Sequence, residues 1–208
     1  MKIIDLSHPI HSNMPVYPGD KEVVISAEKT WVSDGYRLSS LISSQHAGTH
    51  IDAPSHLTES DESMSEIDLS RCTGRGVLVE VRNCESIELK HIESLEIFEG
   101  DIIVFMTGWS KYYGSAKYYE HPALSEELAH FLVMKKIKMM AMDMPSCDHK
   151  PYPVHKILMN GNILIAENLC NCEELLTCPF EVFAIPLKIN AEASLARVFA
   201  ICDEEKTA

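Results

Sequence analysis

The segment HAGTHIDAPSH, residues 46–56, places three imidazoles and one carboxylate within eleven positions. Its glycine, threonine and proline disfavour a helix, so an extended conformation is predicted. Side chains alternate along a strand, and His50 and Asp52 therefore share one face, with their Cα atoms about 6.6 Å apart. Both side chains can then reach one metal ion.

His46 belongs to the same face, but a straight strand would hold it about 13 Å from His50. The chain must bend between the two histidines, and Gly48 can adopt the backbone conformation that a bend needs. Its missing side chain also leaves room for an ion against the backbone. Imidazole and carboxylate are ligands of catalytic zinc, so a zinc site is predicted, with manganese as the alternative ion. The competing interpretation is that these histidines are surface residues or hydrogen-bonded core residues.

His155 and Glu167 are the next candidates along the chain. The apolar run at residues 163–166 predicts a strand, and Glu167 stands at its end. A buried glutamate must be paired, ligated or protonated, and an ion reached from residues 46–56 would meet that demand. The residues alone leave open whether this pair joins the site.

Six short runs rich in aliphatic and β-branched residues predict strands, at residues 76–81, 102–105, 138–142, 163–166, 180–185 and 195–201. Several are apolar on both faces, which is typical of central strands covered from two sides. A helix is predicted from Ser125, whose hydroxyl can cap free amides ahead of Glu126 and Glu127. Residues 58–70 predict an exposed loop with at most one helical turn. We therefore expect one α/β domain, residues 1–208, with a layered or barrel-like sheet.

The net charge of −13 with neutral histidines argues against nucleic acid and membrane surfaces as partners, because binding them requires clustered Lys and Arg. No signal-peptide pattern or apolar run of transmembrane length is found, so a cytoplasmic protein is expected. The seven scattered cysteines are expected to be reduced thiols. Cys170 and Cys172 lack the second pair of a zinc finger and are interpreted as core residues.

The chain resembles the cyclase-like metal-dependent hydrolases, a family that includes the bacterial kynurenine formamidases. The resemblance is carried by the pattern of residues 46–56, in which His46, Gly48, Thr49, His50, Asp52, Pro54 and His56 match the family signature. It extends to DLSHP at residues 5–9, MPVYPGD at 14–20, TGW at 107–109, and the His155 and Glu167 pair. It therefore covers nearly the whole chain.

The resemblance implies that His46, His50 and Asp52 bind a first metal ion, with His155 at a second ion and with Asp52 and Glu167 able to bridge both. It implies a swivelling β/β/α fold with a barrel-like mixed sheet and surrounding helices. It also implies assembly as a homodimer or a larger homo-oligomer such as a tetramer.

His56 is implied as the acid/base residue, and the alternative is that it orients a metal ligand through a hydrogen bond. Tyr17 stands where formamidases of this group typically carry tryptophan, in a segment that contacts the substrate. Its ring can still stack on an aryl group, while the alternative is that it packs a turn. Asp143, Ser146 and Asp148 follow a predicted strand and are candidates for the pocket wall without assigned roles.

The function implied is hydrolysis of N-formyl-L-kynurenine to L-kynurenine and formate in tryptophan degradation. Hydrolysis that a metal ion assists needs no protein nucleophile, and the chain lacks the Gly-x-Ser-x-Gly elbow of serine hydrolases. The nearest rival is hydrolysis of a cyclic amide or another small amide. A rival of a different class is a metal-binding protein without turnover.

Overall fold

The computed structural model describes residues 1–203. Its strands are β1 (Lys2–Asp5), β2 (Val24–Lys29), β3 (Leu38–Ile42), β4 (His50–Asp52), β5 (Thr73–Glu80), β6 (Ser86–Ile87), β7 (Ile102–Met106), β8 (Ala123–Leu124), β9 (Met139–Met142), β10 (Leu164–Glu167), β11 (Phe180–Pro186) and β12 (Ala193–Cys202). Its α-helices are α1 (Trp31–Asp34), α2 (Glu126–Met134) and α3 (Pro153–Asn160). Short 3-10 helices span Pro54–His56, Leu69–Arg71, Leu89–His91, Trp109–Tyr112, Ala116–Glu120 and Cys172–Thr177.

The main sheet closes on itself. Its strand order is β1-β12-β11-β5-β7-β9-β10-β4, and β4 also pairs with β12, which makes a barrel-like sheet of seven strands with β1 added outside the ring. The pairs β5–β7, β7–β9 and β9–β10 are parallel, whereas β4 runs antiparallel to both of its neighbours. The predicted α/β fold with a barrel-like mixed sheet is confirmed.

Strand β7 shows why the sequence of the central strands is apolar throughout. Ile102 and Val104 point into the barrel and belong to one buried cluster. Ile103 and Phe105 belong to a second cluster, which includes Leu128 of α2 and fills the space between sheet and helices. A strand buried on both faces needs apolar residues at consecutive positions, which the predicted runs supply.

All six predicted strands are present, with ends that differ by a few residues from those predicted. The helix predicted after Ser125 is α2, and the Ser125 hydroxyl accepts a hydrogen bond from the Leu128 amide at 3.2 Å. Residues 58–68 form a loop, followed by the short 3-10 helix Leu69–Arg71.

The hairpin of β2 and β3 was not predicted, and it differs from the rest of the sheet in its exposure. Both strands are exposed along nearly their whole length, and α1 between them buries no residue. The large apolar side chains that it exposes are Val24, Ile25, Trp31, Val32, Tyr36, Leu38, Leu41 and Ile42. The hairpin therefore presents an apolar surface to solvent in the single chain.

The expectation of reduced thiols was wrong for two of the seven cysteines. Cys178 and Cys202 form a disulfide with a Cα–Cα distance of 5.8 Å. The pairing of β11 with β12 places Phe180 opposite Cys202, which brings Cys178 beside it. Cysteines 72, 84, 147, 170 and 172 are free.

Across residues 1–203, we find no helix with the length and apolar content needed to cross a lipid bilayer.

Candidate metal centre

Strand pairing builds the core of the candidate site. In the β4–β10 ladder Glu167 lies opposite His50, and Ile165 lies opposite Asp52. Paired residues share a face of the sheet, so the three polar side chains point the same way while Ile51 points into the barrel core. His50, Asp52 and Glu167 are all buried. The predicted shared face of His50 and Asp52 is therefore present, and Glu167 joins it.

The three side chains approach one another with their polar atoms. His50 Nε2 lies 3.4 Å from Asp52 Oδ1 and 3.4 Å from Glu167 Oε2. Within residues 1–203, His50 Nε2, Asp52 Oδ1 and Glu167 Oε1 are buried and lack a hydrogen bond of acceptable geometry. Such atoms are costly to bury unless a charged partner satisfies them.

The His50 ring is held from behind. Its Nδ1 lies 2.8 Å from the Gly48 carbonyl, which requires a proton on Nδ1 and leaves the Nε2 lone pair facing the carboxylates when the ring is neutral. Asn168 donates to the same carbonyl at 3.0 Å. This arrangement is typical of metal-binding histidines, whose second nitrogen is fixed by an acceptor.

His155 approaches from a separate element, the first turn of α3. Its Nε2 lies 3.3 Å from Glu167 Oε1, and its Nδ1 lies 2.5 Å from Asp148 Oδ1. The other oxygen of Asp148 accepts from the Val154 amide at 2.6 Å and so anchors the start of the helix. Asp148 thus fixes both the helix and the imidazole, a role that the sequence left unassigned.

His46 and His56 complete the cluster on the solvent side, and both are half-buried. His46 Nδ1 lies 3.0 Å from Asp52 Oδ1, and its Nε2 lies 3.2 Å from Glu192 Oε1. The ring centroids of His46 and His56 are 4.3 Å apart. Ligand atoms of His46, Asp52 and His56 lie within 4.8 Å of one another, as do those of His50, Asp52 and Glu167.

Gly48 supplies the predicted bend, with a positive φ of 62°. The space that its missing side chain leaves is filled differently from the expectation, because a Cβ there would lie 2.6 Å from Met14 Cε. The glycine is thus needed for its conformation and for packing against Met14. The expected space for an ion at the Cβ position is occupied by Met14.

Electrostatics at the cluster favour positive charge. Burial alone would lower the pKa of His50, but the Asp52 and Glu167 carboxylates raise it to about 10. Burial opposes ionisation of both carboxylates, yet the imidazoles hold the pKa of Asp52 well below its usual range and lower that of Glu167. In a chain without metal, protons on the imidazoles therefore offset the buried negative charge.

The donor set fits a divalent cation. Two ligand atoms ~2.1 Å from a common tetrahedral ion lie ~3.4 Å apart, which agrees with the separations of His50 Nε2 from the two carboxylates. Nitrogen and oxygen donors suit zinc and also manganese. An ion between these atoms would satisfy the buried groups that now lack hydrogen bonds.

A cavity of about 400 Å³ opens above the cluster. Its wall is rich in aromatic side chains, namely Tyr17, Tyr113, Tyr118, Tyr119 and Tyr152. Burial, with a hydrogen bond to Tyr152, raises the pKa of Tyr17 to about 12. Tyr17 packs edge-on against Tyr119, with ring centroids 5.8 Å apart, so it stands in the wall with a protonated hydroxyl at neutral pH.

Asp143, Ser146 and Asp148, the candidates without assigned roles, occupy different environments in the structure. Asp143 is buried away from the cavity, where it accepts from the Thr107 and Gly108 amides at 2.8 and 2.7 Å. Ser146 lines the cavity and donates to the Asp148 carbonyl at 2.9 Å. Asp148 orients His155, as described above.

Sequence reasoning missed Asn168 and Glu192. Asn168 links the cluster to the wall, since its side chain donates to the Gly48 carbonyl and accepts from the Tyr118 hydroxyl at 2.9 Å. The position of Asn168 directly after Glu167 was the one sequence feature that could have indicated its place at the site. Glu192 is exposed and far from the motif along the chain, and no local pattern points to it.

Comparisons with known proteins cover most of the chain. A family model described as "Putative cyclase" matches residues 4–149. Kynurenine formamidase of Bacillus cereus is 30% identical over 203 residues, which cover 93% of this chain and 94% of that protein. An uncharacterised protein of Methanocaldococcus jannaschii is 32% identical over 207 residues, which cover 97% of this chain and all of that protein.

Solved structures agree with this assignment. Isatin hydrolase A from Labrenzia aggregata, bound to benzyl benzoate, has a TM-score of 0.86 and 25% identity, covering 98% of this chain and 94% of that one. A predicted metal-dependent hydrolase from Bacillus stearothermophilus has a TM-score of 0.81 and 28% identity, covering 96% and 97%. The resemblance drawn from residues 46–56 is confirmed, and the chain belongs to the cyclase family.

Proposed function

We propose that this chain hydrolyses the amide bond of an aryl formamide and converts N-formyl-L-kynurenine to L-kynurenine and formate in tryptophan degradation. The observation that carries the proposal is the cluster of imidazoles and carboxylates beneath a tyrosine-walled cavity. Relatives named kynurenine formamidase and isatin hydrolase support hydrolysis of an amide, and the chain is a metal-dependent amidohydrolase.

The metal in this proposal is zinc, with manganese as the alternative, at one or two ions per chain. His46, His50 and Asp52 would hold a first ion, and His155 with Glu167 would hold a second. A divalent ion bound there would supply an activated water and polarise the carbonyl group under attack. The support is geometric, because the carboxylates lie between imidazoles on both sides.

His56 moves the proton in this proposal. Burial lowers its pKa even though Asp52 lies nearby, so the neutral ring predominates at neutral pH and can accept a proton. It takes a proton from the attacking water and returns it to the departing amine. The alternative is that His56 binds the ion or orients a ligand, since its ring lies within ligand reach of His46 and Asp52.

The aryl ring of the substrate packs against the tyrosine wall. Tyr17 offers both a ring face and a hydroxyl at the position where formamidases typically carry tryptophan. Isatin is a cyclic amide, and isatin hydrolase A shares this fold, so cyclic amides are the rival class of substrate. A metal-binding protein without turnover is the third candidate, and a proton carrier beside the cluster argues against it.

A second copy of this chain covers the hairpin of β2 and β3 in this proposal. The hairpin exposes apolar side chains on both strands and on α1 between them, where Trp31 and Val32 lie. Exposed patches of this kind mark interfaces, and the family resemblance implies a homodimer or larger assembly. Both ends of the hairpin run into the cavity wall, at Asp20 and His46, so such an interface would border the site.

A substrate panel tests the proposed reaction. The protein loaded with zinc or with manganese should hydrolyse N-formyl-L-kynurenine with a higher kcat/KM than isatin, measured by the absorbance of each product. The physical reason is that a formyl group is small, so the aryl ring can contact the tyrosine wall while the scissile carbonyl group lies at the cluster. Faster turnover of isatin would favour the rival, and no turnover of either amide would support binding without catalysis.

Replacement of a carboxylate tests the metal site. Asp52→Asn should purify with little bound metal, because it removes a charged donor that faces both His46 and His50. Metal content per chain, measured by elemental analysis on protein purified without added ions, checks this. Asp20→Asn is the matched control, since Asp20 lines the cavity outside the cluster and its loss should leave metal content unchanged. Equal metal content in the Asp52→Asn variant and the wild type would contradict the assignment.

Removal of the His56 imidazole tests the proton carrier. His56→Ala should keep its metal and lose about 10²- to 10⁴-fold in kcat, because proton transfer acts in the transition state. Metal content and rate must be measured on one preparation. Full metal with wild-type turnover would reject the role, and loss of the ion would show that His56 is a ligand or orients one.

Light scattering tests the interface. The wild type should have at least twice the mass of one chain, and Trp31→Ser combined with Val32→Ser should shift it toward the monomer. Leu187→Ser is the control, since Leu187 is an exposed apolar residue outside the hairpin sequence. A monomeric wild type would reject the interface.

A further inference from the structure

Outside the imidazole and carboxylate cluster, the described part of the cavity wall contains one basic side chain, Lys150. Of the residues that line the cavity, those outside the imidazole and carboxylate cluster include only two charged side chains, Asp20 and Lys150. Lys150 is exposed, and across residues 1–203 no hydrogen bond or ion pair of its ammonium group is found. In a chain with 18 basic and 31 acidic residues, an unpaired lysine at the mouth of a cavity is available for a ligand.

The loop that carries Lys150 is held on both sides. Before it, Asp148 is fixed by hydrogen bonds to His155 and to the Val154 amide. After it, the Tyr152 amide donates to the His149 carbonyl at 2.9 Å, and Tyr152 itself lines the cavity. Lys150 therefore reaches the cavity from an anchored backbone, and only its flexible side chain must be ordered on binding.

The charge of the cavity wall decides where an anionic group can bind. With one divalent ion bound at the floor, the charges of Asp52 and Glu167 would offset it, so the floor would offer little net charge to the remote end of a substrate. Asp20 accepts a hydrogen bond from the Ser44 hydroxyl at 3.4 Å and repels other carboxylates. Lys150 is then the one place in the described wall that attracts a carboxylate.

We propose that Lys150 selects substrates that carry a carboxylate at the end remote from the scissile amide, by pairing its ammonium group with that carboxylate. This inference rests on the proposed function, and it narrows the substrate class to anionic or zwitterionic aryl formamides. Neutral formamides and cyclic amides gain nothing from Lys150. Lysine acts here as a mobile point charge, so it tolerates variation in the length of the substrate tail.

The test compares substrates that differ only in the tail. N-Formyl-L-kynurenine carries the carboxylate, whereas 2′-formamidoacetophenone keeps the aryl formamide and lacks the amino-acid part. Lys150→Met in the metal-loaded protein should lower kcat/KM for the first substrate by about 10-fold, mainly through KM, because a charge-assisted contact is lost. The second substrate should be hydrolysed at the wild-type kcat/KM.

Charge reversal sharpens the test. Lys150→Glu should disfavour N-formyl-L-kynurenine further and should improve the decarboxylated analogue N-formylkynuramine, which keeps only the ammonium group. Lys156→Met is the matched control, since Lys156 is an exposed lysine on α3 that does not line the cavity, and it should change none of the three reactions.

Two results would overturn the inference while leaving the proposed function intact. One is an unchanged kcat/KM for N-formyl-L-kynurenine in Lys150→Met. The other is an equal loss on the carboxylate substrate and the truncated one, which would point to a general structural effect. A wild-type protein that hydrolyses none of the three formamides would instead reject the proposed function, and the inference with it.

Discussion

Two buried carboxylates, Asp52 and Glu167, face the same imidazole because β4 pairs with β10. Burying two anions side by side is unfavourable unless positive charge lies between them. The surrounding groups meet this requirement from several directions. His50 and His155 turn Nε2 toward the carboxylates, while the Gly48 carbonyl and Asp148 hold the opposite nitrogens. The fold therefore requires positive charge beside these carboxylates, supplied either by protonated imidazoles or by a bound cation.

The same strand also closes the barrel. β4 has only three residues, yet it pairs with β10 along one edge and with β12 along the other. A shift of one residue in either ladder would turn His50 and Asp52 into the apolar core and bring Ile51 out. Closure of the sheet and assembly of the site therefore depend on a single register, which couples stability of the barrel to the geometry of the site.

The sequence predicted what local patterns encode. Alternation of side chains around Ile51 predicted that His50 and Asp52 share a face. Apolar runs predicted the central strands, and Ser125 predicted the start of α2. Long-range pairings have no local signal, so the proximity of Glu167 to His50 and the Cys178–Cys202 disulfide could not be derived from the residues alone. The β2–β3 hairpin escaped prediction because it is exposed on both faces, so burial imposed no alternation on its side chains.

The floor of the cavity contains the groups suited to the reaction, whereas its wall contains the groups suited to substrate selection. The floor is built by the closed sheet and α3, and its imidazoles and carboxylates suit hydrolysis of an open formamide as well as of a cyclic amide. The wall comes from segments outside the barrel strands, at residues 15–20, 113–119 and 145–152. Apart from anchoring residues such as Asp148 and Tyr118, side chains there can differ without disturbing the barrel. A fold shared with isatin hydrolase at 25% identity is therefore compatible with another substrate. Under the proposed function, discrimination between the two would come from wall residues such as Tyr17 and Lys150, because these would meet the part of the substrate that the reaction leaves unchanged.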